Sequence, residues 1–402
     1  MPGEQNLARM LASLDVQQRP AIEACLASVK AGLLTMKWDL LCTNCRGPKL
    51  TAMALSELPR GAHCSACNID YDRDFERNVE LSFAPAATVR PLLEGGYCLS
   101  GPMSTPHVPV QMLLKPGESR SVAIDLPPGL YRLRTQHPGT HTDIDHPGGA
   151  FPGVRITSTG VEALPPRKPD EINFRNDADF EVAALVEDRN WTKDALTATE
   201  VVALQAFRDM FSEATLRPGD EASVGQVALL FSDLRGSTAL YERVGDSRAY
   251  NIVRDHFAFL ATIVRDHDGA IVKTIGDAVM ASFGDPANAV KAALAMQQRI
   301  VEFNQQHENH RDLSIKLGVH CGSSIMVNLN ERLDYFGSTV NMAARLQGQS
   351  EGDDIVLSRA VADDPAVRPL LEGHVAREES VVLKGFDVPV SFLRVLPTAS
   401  AS

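Results

Sequence analysis

Residues 270–283 read AIVKTIGDAVMASF, and this stretch decides how the second half of the chain folds. Apolar and polar residues alternate on both sides of Gly276-Asp277, which is the pattern of two half-buried strands joined by a tight turn. A two-residue turn projects its side chain beyond the sheet, so Asp277 should lie at the sheet edge. Lys273 lies four residues earlier on the same hairpin. The stretch therefore predicts a β-hairpin that presents a cation and a carboxylate near its turn.

The elements around this hairpin follow the order βαββαβ. The strand VALLFSD ends at Asp233, a helix closed by Gly269 leads into the hairpin, and a second helix starts at Pro286 before the strands LSIKLGVH and SSIMVNL. This order places two helices on one face of a mainly antiparallel sheet, which is an α+β, ferredoxin-like arrangement. The first strand and the hairpin are neighbours in such a sheet, so the carboxylates of Asp233 and Asp277 should converge. Two aspartates without a histidine favour Mg²⁺ or Mn²⁺.

Two further segments carry polar groups that suit a phosphorylated ligand. LRGST follows Asp233 into a helix start, where backbone N–H groups can bind phosphate oxygens. An aspartate at a strand end is also common in ordinary turns, and that interpretation stays open for Asp233 alone. In RLDYFGSTVNMAARLQ, Asn341 and Arg345 lie four residues apart and share one face of a predicted helix. An amide and a guanidinium presented together suit a ribose and a phosphate.

Three segments, FSDLRGST, KTIGDAVMASF and LDYFGSTVNMAARL, closely resemble the signature segments of class III nucleotide cyclases, in this order and at this spacing. The resemblance covers residues 223–398 and implies a catalytic domain that forms its site with a second copy, in a head-to-tail homodimer. It also implies a role for individual positions. These are metal binding by Asp233 and Asp277, base recognition by Lys273 and Asp334, ribose orientation by Asn341, α-phosphate charge stabilisation by Arg345, a triphosphate contact by Lys384, and substrate contacts at Leu234, Gly236, Ser237 and Thr238.

The activity that the resemblance implies is an adenylate cyclase, which converts ATP to 3′,5′-cyclic AMP and pyrophosphate with two Mg²⁺ or Mn²⁺ ions per site. Lys273 can donate to adenine N1 and Asp334 can accept from the 6-amino group, whereas guanine presents N1–H and O6 and reverses both requirements. Family members that use GTP typically carry glutamate and cysteine at these two positions. A guanylate cyclase and a catalytically silent nucleotide-binding signalling module are the alternatives.

Four of the seven cysteines form two Cys-x₂-Cys pairs in the amino-terminal half. Each pair can direct two thiolates at one ion, and two such pairs complete a closed tetrahedral site. The spacing therefore predicts a zinc ribbon with one structural Zn²⁺, while a nucleic-acid-reading ribbon and redox chemistry are the alternatives. The predicted ligands are Cys42, Cys45, Cys64 and Cys67. The remaining cysteines, Cys25, Cys98 and Cys321, are isolated and indicate small core residues.

Composition shifts divide the chain into five segments. We expect a helical lead-in over 1–41, the zinc ribbon over 42–77, a β-rich, sandwich-like regulatory domain over 78–190, a linker helix and loop over 191–222, and the catalytic domain over 223–398. The amino-terminal half, through GLLTMKWDLLCTNC and HCSACNIDYDRDFE, also resembles a domain that precedes such cyclases in bacteria.

Two local patterns in these segments lead to further predictions. Thr197 and Glu200 form a capping-box pattern that opens the linker helix. The apolar side of that helix either pairs across the dimer or packs on the sandwich. The segment HPGTHTDIDHPGG, which starts at His137, is expected to be an exposed loop, with metal binding by its histidines and aspartates as the alternative.

Charge and hydropathy limit the partners that we expect. The chain has 51 acidic and 39 basic residues and a net charge of -12, which disfavours nucleic acid and anionic membranes. No apolar run approaches the roughly 18 residues that span a bilayer, and the first twenty residues lack a signal-peptide pattern. We therefore expect a cytoplasmic protein without membrane insertion. Its expected partners are ATP, a second copy of the chain, and an unidentified ligand or protein at the amino-terminal half.

Overall fold

The computed structural model describes most of the chain. Within those residues, no helix combines the length and the apolar character that crossing a bilayer requires. Three positions discussed above, Cys45, Cys98 and His137, lie outside the described residues. The described ranges are 18–43, 46–65, 67–90, 108–136, 141–168, 170–189, 195–211, 216–217, 219–306, 313–329 and 332–398.

The described amino-terminal segment consists of one helix, a three-stranded sheet and a separate hairpin. In the sheet, β1 lies between β2 and β5 and pairs antiparallel with both. The hairpin is formed by β3 and β4, after a single 3₁₀ turn at Leu55–Glu57. The elements are α1 (Gln18–Lys30), β1 (Leu34–Leu41), β2 (Pro48–Ala52), β3 (Gly61–Cys64), β4 (Ile69–Asp72) and β5 (Val79–Pro85).

The prediction of a helical lead-in over 1–41 is wrong for the part that forms β1. This strand alternates buried and partly exposed side chains, as a period of two requires, and buries Met36, Trp38 and Leu40. Helix α1 includes Pro20 in its first turn. A proline in the first turn removes no intrahelical hydrogen bond, so the helix tolerates it there.

Residues 110–188 form two four-stranded sheets that enclose one apolar core. The strand order is β11-β10-β12-β7 in one sheet and β6-β13-β8-β9 in the other. Both sheets contribute large buried side chains, among them Tyr131 and Phe174. The strands are β6 (Val110–Leu114), β7 (Ser119–Ala123), β8 (Gly129–Thr135), β9 (Thr142–His146), β10 (Gly153–Thr157), β11 (Gly160–Leu164), β12 (Glu171–Asn176) and β13 (Val182–Asp188).

Two expectations for this region differ from the structure. The strand VELSF belongs to β5 and pairs with β1, so the two facing sheets begin later than residue 78. The middle of the expected loop forms β9 instead. There Asp143 accepts two hydrogen bonds from Arg132, at 2.7 and 2.9 Å. His146 is buried against the rings of Tyr131 and Phe151, so packing and pairing fix the part of this segment that the structure describes.

The linker begins as predicted and then divides into two short helices. The capping box is confirmed, because the Thr197 side chain accepts from Glu200 N and the Glu200 carboxylate accepts from Thr197 N. Helix α2 (Ala198–Val202) follows it, and α3 (Gln205–Phe211) comes next. Phe207 is buried inside the chain, where its ring meets Trp38 edge-on at 5.9 Å between centroids. Because the apolar side is occupied within the chain, the reason for expecting it to pair across a dimer no longer holds.

The second half forms one large sheet in the order β15-β16-β14-β17-β19-β21-β20, with β18 paired to β17. The first four of these strands pair antiparallel and carry the predicted βαββαβ order. The elements are β14 (Glu221–Leu234), α4 (Ser237–Val244), α5 (Asp246–Asp266), β15 (Gly269–Ile275), β16 (Ala278–Phe283), α6 (Pro286–Gln306), β17 (Ile315–Leu329), β18 (Arg332–Phe336), α7 (Ser338–Gln347), β19 (Ile355–Ser358), α8 (Arg359–Ala362), α9 (Arg368–Leu371), β20 (Val375–Val381) and β21 (Val390–Leu396).

One core covers the first face of this sheet, and a second covers the part of the other face formed by β14 to β18, while β19 and β21 pack on α7 there in a small separate cluster. Successive residues of β14 point to opposite faces, so Leu230 packs under α5 and α6 while Leu229 and Phe231 face the other way. We call the first cluster the helix-face core. We call the second the shared core, because it joins the sheet to the amino-terminal segment and the linker. Its members outside the sheet and α7 are Ile22, Leu26, Met36, Trp38, Leu40, Leu55, Leu58, Phe75, Val79, Leu81, Leu196, Ala198, Val201, Val202, Phe207 and Leu216.

Candidate active site

Two carboxylates meet at one end of the sheet. Asp233 is the penultimate residue of β14, and Asp277 follows Gly276 in the turn between β15 and β16, where Gly276 has a φ of 65° that favours glycine. The two carboxyl groups lie within hydrogen-bonding reach of each other. Burial, together with the neighbouring charge of Asp277, raises the pKa of Asp233 to about 6. The convergence expected from the strand order is therefore present in the structure.

The environment of this pair fits a hard divalent cation. Asp277 Oδ2 is buried and has no hydrogen-bond partner among the described residues. A buried carboxylate oxygen without a partner is unfavourable, and two adjacent carboxylates repel each other when both are ionised. An oxygen-only donor set of this kind matches the ligand preference of Mg²⁺ and Mn²⁺. Asp233 and Asp277 are thus the residues that would hold such ions.

Backbone N–H groups lie next to the pair. Leu234 is buried at the end of β14, and the chain turns through Gly236, whose φ of 68° is in the left-handed region, into the first turn of α4. Ser237 and Thr238 start this helix, and the first N–H groups of a helix have no partner within it. The arrangement presents amide donors beside the carboxylates, which suits a phosphorylated ligand that also binds a cation.

Lys273 and Asp334 form an ion pair across two strands. Lys273 Nζ lies 2.5 Å from Asp334 Oδ2, and Asp334 Oδ1 accepts from Tyr335 N at 2.8 Å. The side chain of Asp334 is only 9% exposed, whereas that of Lys273 is 35% exposed. An ammonium group has three donors and a carboxylate accepts several hydrogen bonds. The pair therefore keeps the capacity to present a donor and an acceptor side by side.

Asn341 and Arg345 both lie on the exposed side of α7, as their spacing predicts. The opposite side of the helix buries Ala343 and Leu346. Helix α7 approaches β17 closely at Gly318, where an added Cβ would overlap the backbone N of Gln347. The sheet thus fixes the helix that carries the amide and the guanidinium.

Within one chain, the candidate residues form separate groups instead of one site. Among the described residues, no hydrogen bond or ion pair joins the Asp233–Asp277 pair to Lys273, Asp334, Asn341 or Arg345. Lys384 is exposed in the connection between β20 and β21. The structure therefore brings together the two aspartates and, separately, Lys273 with Asp334, but it does not assemble all the candidates into one group.

Two residues near the carboxylates were not identified from the sequence. Lys316 lies directly opposite Asp233 in the β14–β17 register, and its charge acts to lower the pKa of Asp233. Tyr241 in α4 has a pKa that is raised by burial and then by the charges of Asp277 and Asp233. Tyr241 was accessible to sequence reasoning, since it follows LRGST by about one helical turn. The position of Lys316 depends on strand register, which no local pattern indicates.

Three of the four predicted zinc ligands converge in the amino-terminal segment. The Sγ atoms of Cys42, Cys64 and Cys67 lie within 4.8 Å of one another, and all three residues are buried. A tetrahedral zinc site with Zn–S bonds of about 2.3 Å has sulfur atoms roughly 3.8 Å apart, so the spacing fits. Cys45 is outside the described residues. The three thiols, with Cys45 as the fourth ligand, would hold a structural zinc ion, and the ribbon itself stays a prediction.

Comparison with known proteins identifies two matched segments. Residues 220–386 match the family described as "Adenylate and Guanylate cyclase catalytic domain". Residues 5–94 match a family of unknown function, DUF5939. The second match places the cysteine-containing segment in a family to which its description assigns no activity.

Curated relatives align with less than half of the chain. The chain is 33% identical over 157 residues to an adenylate cyclase of Mycosarcoma maydis, covering 34% of this chain and 6% of that protein. It is 29% identical over 188 residues to an adenylate cyclase of Anabaena cylindrica, covering 43% and 37% respectively. Against adenylate cyclase 1 of Rhizobium meliloti the identity is 29% over 195 residues, covering 44% and 29%. The chain thus spans less than two fifths of each of these relatives.

A solved structure similar to this chain is the adenylyl cyclase CyaB from P. aeruginosa, at 25% identity and a TM-score of 0.40, covering 45% of this chain and 98% of that one. The catalytic core of a rhodopsin-guanylyl cyclase with converted specificity, in complex with ATPαS, matches at 22% identity and a TM-score of 0.39, covering 45% and 99%. The family match over 220–386 includes the three resembling segments. Residues 220–386 of this chain thus match the adenylate and guanylate cyclase catalytic domain family.

Proposed function

We propose that the chain is an adenylate cyclase that converts ATP to 3′,5′-cyclic AMP and pyrophosphate. The observation that carries the proposal is the half-buried Asp233–Asp277 pair, with a buried carboxylate oxygen that has no partner among the described residues, beside the first amides of α4. This combination suits a triphosphate that arrives with divalent cations. The adenylate cyclases among the curated relatives support the same activity.

Asp233 and Asp277 would hold two Mg²⁺ or Mn²⁺ ions. When bound, such ions lower the pKa of the ribose 3′-hydroxyl and neutralise charge on the triphosphate and the departing pyrophosphate. The amides around Ser237 and Thr238 donate to phosphate oxygens, while Leu234 and Gly236 shape the turn that aims them. Because the nucleophile and the phosphorus belong to one substrate molecule, the remaining task of the protein is positioning and charge stabilisation.

Lys273 and Asp334, which we call the base-reading pair, would select adenine. Lys273 donates to adenine N1 and Asp334 accepts from the 6-amino group. With guanine, the N1–H donor would face the lysine ammonium and the O6 acceptor would face the carboxylate. The buried Asp334 would then lose its hydrogen-bond partner. A site of this kind discriminates between bases by about 10⁴-fold.

The remaining contacts are assigned to a second copy of the chain. Asn341 would orient the ribose, Arg345 would stabilise charge on the α-phosphate, and Lys384 would approach the triphosphate. In a head-to-tail homodimer, the carboxylate pair of one chain would face the base-reading pair and α7 of the other. The separation of these groups within one chain supports this arrangement. Removing Arg345 should lower turnover by about 10²–10³-fold, as removal of one preorganised donor does elsewhere.

The amino-terminal half would regulate this activity, with one structural Zn²⁺ bound by its cysteines. Support comes from the thiol cluster and from the shared core, through which this half contacts the catalytic sheet. The signal that it receives is a ligand or a protein partner outside the present structure.

The test is cyclic nucleotide production by the purified chain, with ATP and GTP in parallel and Mg²⁺ or Mn²⁺ present. We expect cyclic AMP from ATP, and loss of product in Asp277→Asn, because that change removes a metal ligand. Asp255→Asn on α5 is the matched control, since Asp255 is bonded to the neighbouring Arg254 and lies outside the carboxylate pair. Lys273→Glu with Asp334→Cys should abolish ATP use. A folded dimer that makes no product from either nucleotide would contradict the proposal and favour a silent nucleotide-binding module.

A further inference from the structure

Helix α3 lies against the two strands that carry the base-reading pair. Among the described strands, β15 is terminal in the sheet and β18 pairs with β17 alone, so each has one edge without a strand partner there. Gln205 Oε1 accepts from Ile271 N on β15 at 2.7 Å. This contact lies next to the irregularity in the β15–β16 register between Ile271 and Lys273. A linker side chain thus fixes the backbone two residues before the lysine.

Arg208 makes the corresponding contact on β18. Its Nη1 donates to Leu333 O at 3.0 Å, and Leu333 immediately precedes Asp334. The same guanidinium donates through Nε to Val202 O at 2.7 Å and lies over the Tyr335 ring, 5.5 Å from its centroid. Three contacts in different directions hold the guanidinium in one orientation. Arg208 therefore fixes β18 on both sides of Asp334.

The orientation of Gln205 is also determined. Its Nε2 donates to Asp209 Oδ1 at 2.7 Å, and a carboxylate accepts only from the NH₂ side of the amide. The carbonyl oxygen is consequently directed at Ile271 N. Phe207, on the same helix, packs against Trp38 of the amino-terminal sheet. Helix α3 thus connects the amino-terminal core with both strands at positions that flank Lys273 and Asp334.

We propose that Gln205 and Arg208 are positioning residues for adenine selection, because they hold β15 and β18 at the separation at which Lys273 and Asp334 face one base together. The inference rests on the proposed cyclase activity and adds to it a specificity element outside the catalytic domain. The linker acts on base recognition rather than on the Asp233–Asp277 pair, since none of these contacts reaches the carboxylates. A change in the amino-terminal half that moves α3 would alter the affinity for ATP first.

The test measures kcat and KM for ATP and GTP in the full-length chain carrying Arg208→Met. This change keeps an unbranched apolar stem and removes both backbone hydrogen bonds. We expect the ratio of kcat/KM for ATP to that for GTP to fall about tenfold, mainly through KM for ATP. Gln205→Leu should lower the ratio in the same direction by a smaller factor. Arg208→Lys, which can still donate to Leu333 O, should give an intermediate ratio.

Arg60→Met is the matched control. Arg60 lies in the amino-terminal half and, like Arg208, donates to a backbone carbonyl near the catalytic sheet, Gly219 O, at 2.9 Å, but its hydrogen bonds reach neither β15 nor β18. In Arg60→Met, the ratio of kcat/KM for ATP to that for GTP should equal the ratio in the unmodified chain. A purely structural role for Arg208 would lower both activities in parallel and leave the ratio unchanged.

The outcomes separate the two proposals. If the unmodified chain makes no cyclic nucleotide, the proposed function fails and the inference fails with it. If it is active and the ratios of Arg208→Met and Gln205→Leu equal that of Arg60→Met, the inference alone is wrong. Thermal unfolding shows whether each variant is folded. If Arg208→Met does not fold, the ATP-to-GTP ratio of kcat/KM in Gln205→Leu decides whether the inference holds.

Discussion

The two faces of the catalytic sheet are completed in different ways. The helix-face core uses residues between Ala228 and Val395, so one stretch of chain supplies both the sheet and its cover. The shared core combines the other face with residues from Ile22 onward and with the linker. The second half of the chain therefore covers one face of the catalytic sheet by itself and the other face only in part. The rest of the other face depends on a segment that matches a different family.

The largest effect that we predict comes from the shared core. Trp38→Ala should lower the free energy of unfolding by about 3–5 kcal/mol, because Trp38 is only 1% exposed and packs against Phe207. The loss should extend to the catalytic half, since its sheet closes the same core. Chemical denaturation followed by circular dichroism, with cyclase activity measured at each denaturant concentration, checks this expectation.

Phe174→Ala is the control for Trp38→Ala. Phe174 is equally buried, but its core belongs to the two facing sheets of residues 110–188. We expect this variant to lose stability in those sheets while activity persists to the same denaturant concentration as in the unmodified chain. If both variants reduced activity alike, or if Trp38→Ala left it unchanged, the distinction between the two cores would be lost.

A glycine pair sharpens the comparison at intermediate magnitude. Gly318→Ala should cost about 1–3 kcal/mol and reduce activity, because the new Cβ would overlap the backbone of α7 and displace the helix that carries Asn341 and Arg345. Gly225→Ala, also in a strand of the sheet, would meet only the carboxylate end of Glu76, which can rotate away, so we expect about 0.5 kcal/mol or less. Thermal unfolding and initial rates check the pair. If the two variants lost stability and activity equally, a clash with backbone atoms would cost no more here than a clash with a movable side chain.

The smallest predicted effect concerns pH at the carboxylates. In the metal-free protein the pKa of Asp233 is about 6, raised from 3.8 by burial and by Asp277. The unfolded chain releases this proton near pH 4 and the folded chain near pH 6, so the free energy of unfolding should fall as pH rises through this window. At pH values above this window, a bound cation offsets the loss of stability. We therefore expect Mn²⁺ to raise Tm above about pH 7 and to change it little at about pH 5.

Asp277→Asn provides the contrast for the pH prediction. Without the second carboxylate, the pKa of Asp233 moves toward its ordinary value, and both the pH dependence and the response to Mn²⁺ should shrink. Scanning calorimetry at the two pH values, with and without the cation, measures both effects. A Tm increase of equal size at both pH values would show that the cation binds elsewhere.

Much of the catalytic half was predictable because its signals are local. Alternation in 270–283 predicts the hairpin, and strand order predicts that Asp233 and Asp277 converge, as the structure has them. The spacing of Asn341 and Arg345 predicts their common side of α7. These features depend on residues that are close in sequence or on a connection order with few alternatives.

The cover of the second face was not predictable from the same signals. VALLF in β14 is a continuous apolar run, which indicates a strand buried on both faces, but such a run does not specify what covers each face. The linker helix showed an apolar side without indicating its neighbour, and β1 was mistaken for part of a helix. Lys384 and Cys45 stay predictions, since no described contact tests the first and the second is outside the described residues.

The shared core also sets an order of events during synthesis. Trp38 leaves the ribosome about 300 residues before Ala343, the last member of the shared core, and at about 5–20 residues per second that interval is roughly 15–60 s. Throughout it, the nascent amino-terminal segment carries apolar side chains whose final neighbours do not yet exist. Slow translation or early release of the chain therefore exposes this surface to chaperones and to other nascent chains, well before the catalytic sheet can cover it.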